Sequence, residues 1–304
     1  MTPSPKEGSM ADRHVVSEKC KGDGICVEVC PKHVLELHEG RARTTPGREV
    51  HCLDCGQCVA ACAPGALSVS TMAADRFEPL KRPTTSPEDL AAFFKARRSV
   101  RTFKPDPVPR EVLQSIVDLA ATAPMGFVHT TEILVIDSRE EIQFLSRKLR
   151  DLYAKLVSIH ANPVGRVVIR LKRGAEVAHA LDTHVIPIVK DDNEWQDRTG
   201  RDRYLYGAPV VMLFHANRWE VAYDENALIC ATYAMLAAHA HGLGSTMLSI
   251  VPPGINNFPD LRPRYGIPED NKVLLALVMG YPKYRYQKSI RRELKGVRFF
   301  SPPQ

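Results

Sequence analysis

The 304-residue sequence predicts two domains of different kinds. A small cysteine-rich domain precedes a larger α/β or α+β domain, built on a central sheet covered by helices. Three observations carry this. Seven of the eight cysteines fall within the first 62 residues. A Pro/Ser/Thr-rich stretch at residues 81–87, Lys81-Arg82-Pro83-Thr84-Thr85-Ser86-Pro87, reads as a linker between residues 1–80 and 88–304. Beyond it, short continuous apolar runs alternate with longer helical patterns.

The cysteines come first in the chain. One run is Cys20-x2-Asp23-x2-Cys26-x3-Cys30-Pro31; the other is Cys52-x2-Cys55-x2-Cys58-x3-Cys62, the same pattern with a cysteine where the first has Asp23. Zinc usually takes two well-separated C-x2-C pairs, and a disulfide framework goes with an apolar signal segment, which this N-terminus does not display. The spacing therefore favours iron–sulfur ligation, and with it electron transfer. It also points to a reducing cytoplasm. A short strand is expected at Ala66–Ser70.

After the linker, Ser86 or Thr85 is placed to cap a helix with Leu90, Phe93 and Phe94 on its apolar face. A second helix is expected from Pro109 to Ala121, with Val112, Ile116 and Leu119 on one stripe. Buried strands are expected at Ile133–Ile136, Val210–Phe214 and Val273–Met279, and a long helix at Tyr223–His241. Residues 150–205 read as an inserted helical flap or lid. Hydrophobic content of 44% suffices for a packed core, and no run reaches the length of a membrane span. The net charge of +6 is uneven: residues 1–80 hold nine Lys/Arg against eleven Asp/Glu, so the excess of cations lies beyond them. Without a dense basic run, this is weak evidence for nucleic acid and fits an anionic cofactor or substrate equally well. Arg97-Arg98-Ser99-Val100-Arg101 offers three guanidinium groups and a hydroxyl, which suits a phosphate. A solvated helix end is the plainer alternative.

Two resemblances extend this reading. Residues 14–72 resemble the bacterial two-cluster ferredoxins. The resemblance implies that Cys52, Cys55, Cys58 and Cys30 hold one [4Fe–4S] cluster, while Cys20, Asp23, Cys26 and Cys62 surround a second. Asp23 leaves three outcomes open: a carboxylate-ligated [4Fe–4S] site, a [3Fe–4S] site, or a solvated loop residue between Gly22 and Gly24.

Residues 86–300 resemble the FMN-dependent nitroreductase family. The matching pieces are Arg97–Phe103, Pro107–Leu113, Ala121–Pro124, Gly207–Val211, Ala237–Ser245, Tyr265–Pro268 and Val278–Pro282. This implies an α+β fold, with a central sheet flanked by helices, and an obligate homodimer with FMN at its interface. By position, Arg97, Ser99 and Arg101 would contact the FMN phosphate or ribityl chain, with Arg98 nearby. Lys288 and Arg291 match basic residues returning to the phosphate. The turn Met247–Val251, with Leu248 and Ser249, matches the segment facing the flavin ring, and Pro124, Met125 and Gly126 match the loop on its other side. One departure is clear: Phe127-Val128-His129-Thr130-Thr131-Glu132 stands where many members have Asn and a Gln-Pro-Trp-like stretch. A different substrate pocket is expected.

Together these features suggest an iron–sulfur flavoprotein oxidoreductase. It would take electrons from reduced ferredoxin or another low-potential donor and pass them through two clusters and FMN to a nitro compound, activated alkene or quinone. A non-catalytic electron carrier or redox sensor serving a partner protein is the alternative. A nicotinamide-fed enzyme is a third reading, although no Gly-x-Gly-x-x-Gly dinucleotide fingerprint is present. Neither nucleic acid nor membrane is expected as a partner. No residue is assigned as catalytic. His129, Tyr204 and Tyr206 are proton-donor candidates with plainer structural readings, Cys230 is expected in the core, and His239 and His241 are expected in surface or packing roles.

Overall fold

The structure is a computed structural model describing residues 13–126 and 130–301. It divides into two compact units, Met1–Thr84 and Thr85–Gln304. The first contains β1 (His14–Val16), α1 (Ile25–Glu28), β2 (Leu35–His38), β3 (Arg41–Thr44), α2 (Gln57–Ala60) and β4 (Leu67–Val69). Two antiparallel ribbons, β1–β4 and β2–β3, flank the two single-turn helices. Each helix starts from a glycine in the left-handed region, Gly24 at φ 76° and Gly56 at φ 69°, where a side chain would be strained. Those glycines turn each C-x2-C-like run back on itself. The core is small: Cys26, Leu35, Ala42, Cys58, Leu67 and Val69. Six buried side chains of this size are few for a stable domain, so bound groups must supply part of its stability.

The second unit opens with α3 (Pro87–Ala96), α4 (Arg110–Ala120) and β5 (Glu132–Ile136). A helical run follows: α5 (Arg139–Ala161), α6 (Pro163–Arg173), α7 (Ala175–Ala180), a π-turn at Leu181–Val185, and α8 (Ile186–Thr199). The chain then forms β6 (Val210–Asn217), α9 (Tyr223–Ala240), β7 (Gly244–Leu248), α10 (Val251–Asn257), α11 (Leu261–Arg264) and β8 (Asn271–Gly280). Four antiparallel strands make the sheet, in the order β5-β6-β8-β7.

Both faces of this sheet are covered. Val211 and Leu213 of β6 join Ala276 and Val278 of β8 in a core closed by α5, α8 and α10. The alternate residues, Val210, Met212 and Phe214 with Leu275, Leu277 and Met279, pack on α4 and α9. This period-two division explains why β6 and β8 read as continuous apolar runs. The insertion differs from its expected bounds. Its helices begin at Arg139, because Ser138 caps α5 by accepting the Glu141 N–H. Ser86 caps α3 in a capping box with Asp89. However, Leu90 and Phe94 of α3 lie exposed rather than forming a buried face; Phe93 meets the His239 ring at 4.8 Å and the edge of Phe94 at 5.9 Å.

Candidate functional site

In the first unit the cysteines gather in two groups. Cys58 faces Cys52, Cys55 and Cys30, and these four share the lining of one pocket. Cys26 faces Cys62, Cys20 and Asp23. The thiols stand around a space rather than converge on a point: among the described residues, no three His, Cys, Asp or Glu side chains are grouped as a single-ion site. Burial pushes the Cys58 thiol up to about 11, and raises Cys26 and Cys52 as well. Such thiols ionise readily only beside positive charge, which an iron core would provide. The last cysteine of each run accepts a backbone N–H in the same way: Val34 N donates to Cys30 Sγ (3.3 Å) and Ala66 N to Cys62 Sγ (3.2 Å). His14 lies between Cys52 Sγ (3.9 Å) and Thr44 Oγ1 (3.2 Å). Asp23 is exposed, like Cys55 at the matching position, and its Oδ1 accepts the Ile25 N–H at 3.1 Å. The donor set, soft thiols with one carboxylate, fits iron–sulfur groups.

In the second unit the sheet organises the arginine segment. Ser99 pairs with Ser245 of β7, and Val100 N donates to the Ser245 carbonyl at 3.0 Å. On the other side, Lys104 N donates to the Tyr281 carbonyl (2.8 Å) and Lys283 N to the Thr102 carbonyl (3.1 Å). Residues 99–104 are thereby held between β7 and the strand leaving β8. Gly244 makes the contact possible, since a Cβ there would lie 2.6 Å from Val100. Burial lowers the pKa of Arg97, as do the neighbouring Arg98 and Arg292. Those three guanidinium groups form no ion pair among the described residues. Arg98 stacks on Tyr286 at 5.7 Å and Arg101 on Tyr206 at 5.8 Å. Cations held together without a carboxylate suit an anion such as a phosphate.

Placement of the remaining candidates is uneven. Arg291 lies beside Glu293 at 3.5 Å, Lys288 is exposed, and it is Arg292 that approaches Arg97. Gly126 is fastened by Asn226: its N–H donates to Oδ1 (2.9 Å) and its carbonyl accepts from Nδ2 (3.0 Å). That bracket holds the Pro124–Gly126 loop to α9. Leu248 ends β7 and Ser249 follows it. The next carbonyl, Ile250, accepts a 2.6 Å hydrogen bond from Tyr153 Oη of α5. Tyr153 stacks on Tyr204 (5.9 Å), whose hydroxyl donates to Asn193 Oδ1 (2.7 Å), so both tyrosines serve the scaffold. Cys230 is buried, His241 meets Ser115 at 2.9 Å, and His129 lies outside the described residues. Asn226, Tyr153 and Arg292 escaped sequence reasoning. Asn226 alone carries a faint signal, an amide at the start of a largely apolar helix, although Asp224 and Glu225 beside it make it look like part of a polar first turn.

A family model described as the nitroreductase family matches residues 94–281. The chain belongs to the nitroreductase family. This is a family of FMN-dependent oxidoreductases, and a model for a 4Fe-4S dicluster domain matches residues 17–72 as well. Nitroreductase NfnB of Mycolicibacterium smegmatis is 29% identical over 217 residues, covering 66% of this chain and 87% of that protein. Ferredoxin-1 of Nitratidesulfovibrio vulgaris is 57% identical over 28 residues, 9% of this chain and 45% of the ferredoxin. A Bacteroides fragilis nitroreductase solved with bound FMN shares the fold, with TM-score 0.53 and 18% identity, over 70% of this chain and 98% of that one. Among the described residues, no helix of this nitroreductase is long and apolar enough to cross a membrane.

Proposed function

We propose that this nitroreductase passes electrons from a low-potential donor such as reduced ferredoxin, through two iron–sulfur clusters, to FMN and then to a small acceptor. Nitro compounds, activated alkenes and quinones have suitable chemistry. The observation that carries this reading is the group of Arg97, Arg98 and Arg292, in no ion pair among the described residues, beside the segment that β7 aligns. Arg97, Arg98, Ser99 and Arg101 would hold the FMN phosphate and ribityl chain, with Arg292 and Lys288 returning from the C-terminal segment. Tyr153 fixes the turn at Leu248–Ile250, so that its backbone keeps one orientation toward the ring. Asn226 does the same for the Pro124–Gly126 loop. When bound, FMN accepts electrons singly and delivers them in pairs, the conversion a cluster-fed reductase requires.

Cys30, Cys52, Cys55 and Cys58 would ligate one [4Fe–4S] cluster. Cys20, Cys26 and Cys62, with Asp23, would ligate a second cluster of three or four irons. The working form is a cytoplasmic homodimer with FMN at the interface. The exposed Leu228, Ile229 and Tyr233 of α9 support a second copy, as does an exposed C-terminal segment ending in Phe299 and Phe300.

Anaerobic purification with iron, sulfide and FMN counted per chain, alongside low-temperature EPR, tests the reading. About seven or eight irons and one FMN are expected. A three-iron signal in the isolated protein would mean that Asp23 does not retain the fourth iron. Zinc instead of iron, or no flavin, would overturn the proposal. Replacing Cys58 with serine should abolish FMN reduction by reduced ferredoxin while FMN stays bound.

A further inference from the structure

The helical insertion borders a partly open cavity of about 680 Å³, which shares Ser249 and Ile250 with the turn assigned to the flavin and no residue with the cluster sites. Its walls are Leu152 and Leu156 of α5, Leu181 and Val185 of the π-turn, and Ile250 and Pro253 beyond β7. The size suits a small organic molecule, and the lining is overwhelmingly apolar. Arg173 and His184 bring basic side chains to it, and Tyr153 a phenol. Arg173 closes α6, and its only described hydrogen bond runs from Nη2 to Asn257 Oδ1 at 3.3 Å, a neutral partner.

The surroundings of Arg173 share this imbalance. α6 carries Arg166, Arg170, Lys172 and Arg173 and no acidic residue. None of the four enters an ion pair among the described residues. Asp182, which follows Leu181 in the π-turn, is engaged by His160 at 2.5 Å in a neighbouring cavity that Arg166 and Arg170 also line. The π-turn is the second feature. Such turns are uncommon inside helices and recur at binding sites, and this one directs Leu181, His184 and Val185 into one cavity.

We infer that this cavity is the acceptor pocket, and that the acceptor is an amphipathic molecule: an apolar, ring-sized body bearing one anionic group, a carboxylate or phosphate, bound by Arg173. The inference rests on the flavin reading above, because Ser249 and Ile250 form both the floor of the cavity and the turn assigned to the flavin. An apolar body fills the space between α5 and the π-turn. Arg173 is exposed at the cavity mouth, where an anion would add charge-assisted hydrogen bonds to the one made with Asn257, and the guanidinium fork suits it. Neutral nitroarenes would then be poorer ligands than their carboxylated counterparts.

Calorimetric titration of the oxidised, FMN-loaded protein with biphenyl-4-carboxylate and with the neutral biphenyl-4-carboxamide tests this without turnover. Wild type should bind the carboxylate at least about tenfold more tightly, the usual worth of one charge-assisted contact. Arg173→Gln should remove the preference and leave carboxamide binding in place, while Arg173→Lys should keep part of it. Val177→Trp, at a half-exposed lining position, should weaken both ligands by filling the cavity. Equal affinities in wild type, or a preference that survives Arg173→Gln, would overturn the inference while FMN binding stands. A wild-type protein that takes up no FMN would instead overturn the flavin reading.

Discussion

Gly244 offers the sharpest test of how the arginine segment proposed to bind FMN is held. A Cβ at this position would lie 2.6 Å from both Cβ and Cγ2 of Val100 and 2.8 Å from its Cγ1. Carbon atoms pack at about 3.5–4.0 Å, so Gly244→Ala demands a shift of roughly 1 Å. Val100 cannot swing away, because it is buried, β-branched and tied through its N–H to Ser245. The strand carrying Arg97, Ser99 and Arg101 must move instead. Overpacking of this kind costs about 1–3 kcal/mol. Misaligning even one charge-assisted contact to a phosphate weakens binding by about tenfold or more.

Urea denaturation of the FMN-free protein, followed by tryptophan fluorescence, reads the first effect. Both tryptophans, Trp195 and Trp219, lie in the second unit, so the signal reports on the relevant domain. Flavin titration reads the second effect. The double variant Gly244→Ala/Val100→Gly should recover part of the flavin affinity, because Val100→Ala would keep the Cβ that lies 2.6 Å away and only its removal relieves the contact. If Gly244→Ala binds FMN within twofold of wild type at unchanged stability, the strand is positioned by something other than this contact.

Three further outcomes are expected. Tyr153→Phe removes the 2.6 Å hydrogen bond to Ile250, so the second unit should lose about 1 kcal/mol in denaturant titrations and the visible flavin spectrum should shift. Stripping iron by chelation should unfold the first unit, seen as lost far-ultraviolet ellipticity, while tryptophan fluorescence still reports a folded second unit. His215 is buried and neutral, its Nδ1 accepting from Asn271 at 2.9 Å, and burial holds its pKa below the usual 6.5. Between these values the unfolded chain binds the extra proton, so the stability present above pH 6.5 should fall as pH drops through the lower, folded value. His215→Gln should flatten that slope in a pH series of urea midpoints.

Legibility in the sequence follows the range of the interactions. The cysteine runs are local: one glycine and a single helical turn set their geometry, so spacing alone marks them. β6 and β8 were equally plain, since strands buried on both faces leave unbroken apolar runs. The start of the insertion was missed because α5 continues the amphipathic pattern of the core into the insertion without a break. Arg292 and Tyr153 were invisible for another reason. Each acts across a gap closed only by tertiary packing, from Arg292 to Arg97 and from Tyr153 to Ile250. Periodicity carries no information about such pairs.

Asp23 shows how one substitution in a repeated frame changes chemistry without changing fold. Asp23 and Cys55 precede matching left-handed glycines, stand at the same offset from a single-turn helix, and are both exposed. The backbone therefore presents either side chain in the same way, and the difference between the two sites lies in the donor atom. A carboxylate is a harder ligand than a thiolate and binds iron of an iron–sulfur core less firmly. Here one of its oxygens is also engaged by the Ile25 N–H. That bond competes with iron for the carboxylate's electron density, at a place open to water. The group around Cys26 is thus the one expected to exchange its outermost iron, while the thiols of Cys30, Cys52, Cys55 and Cys58 retain theirs.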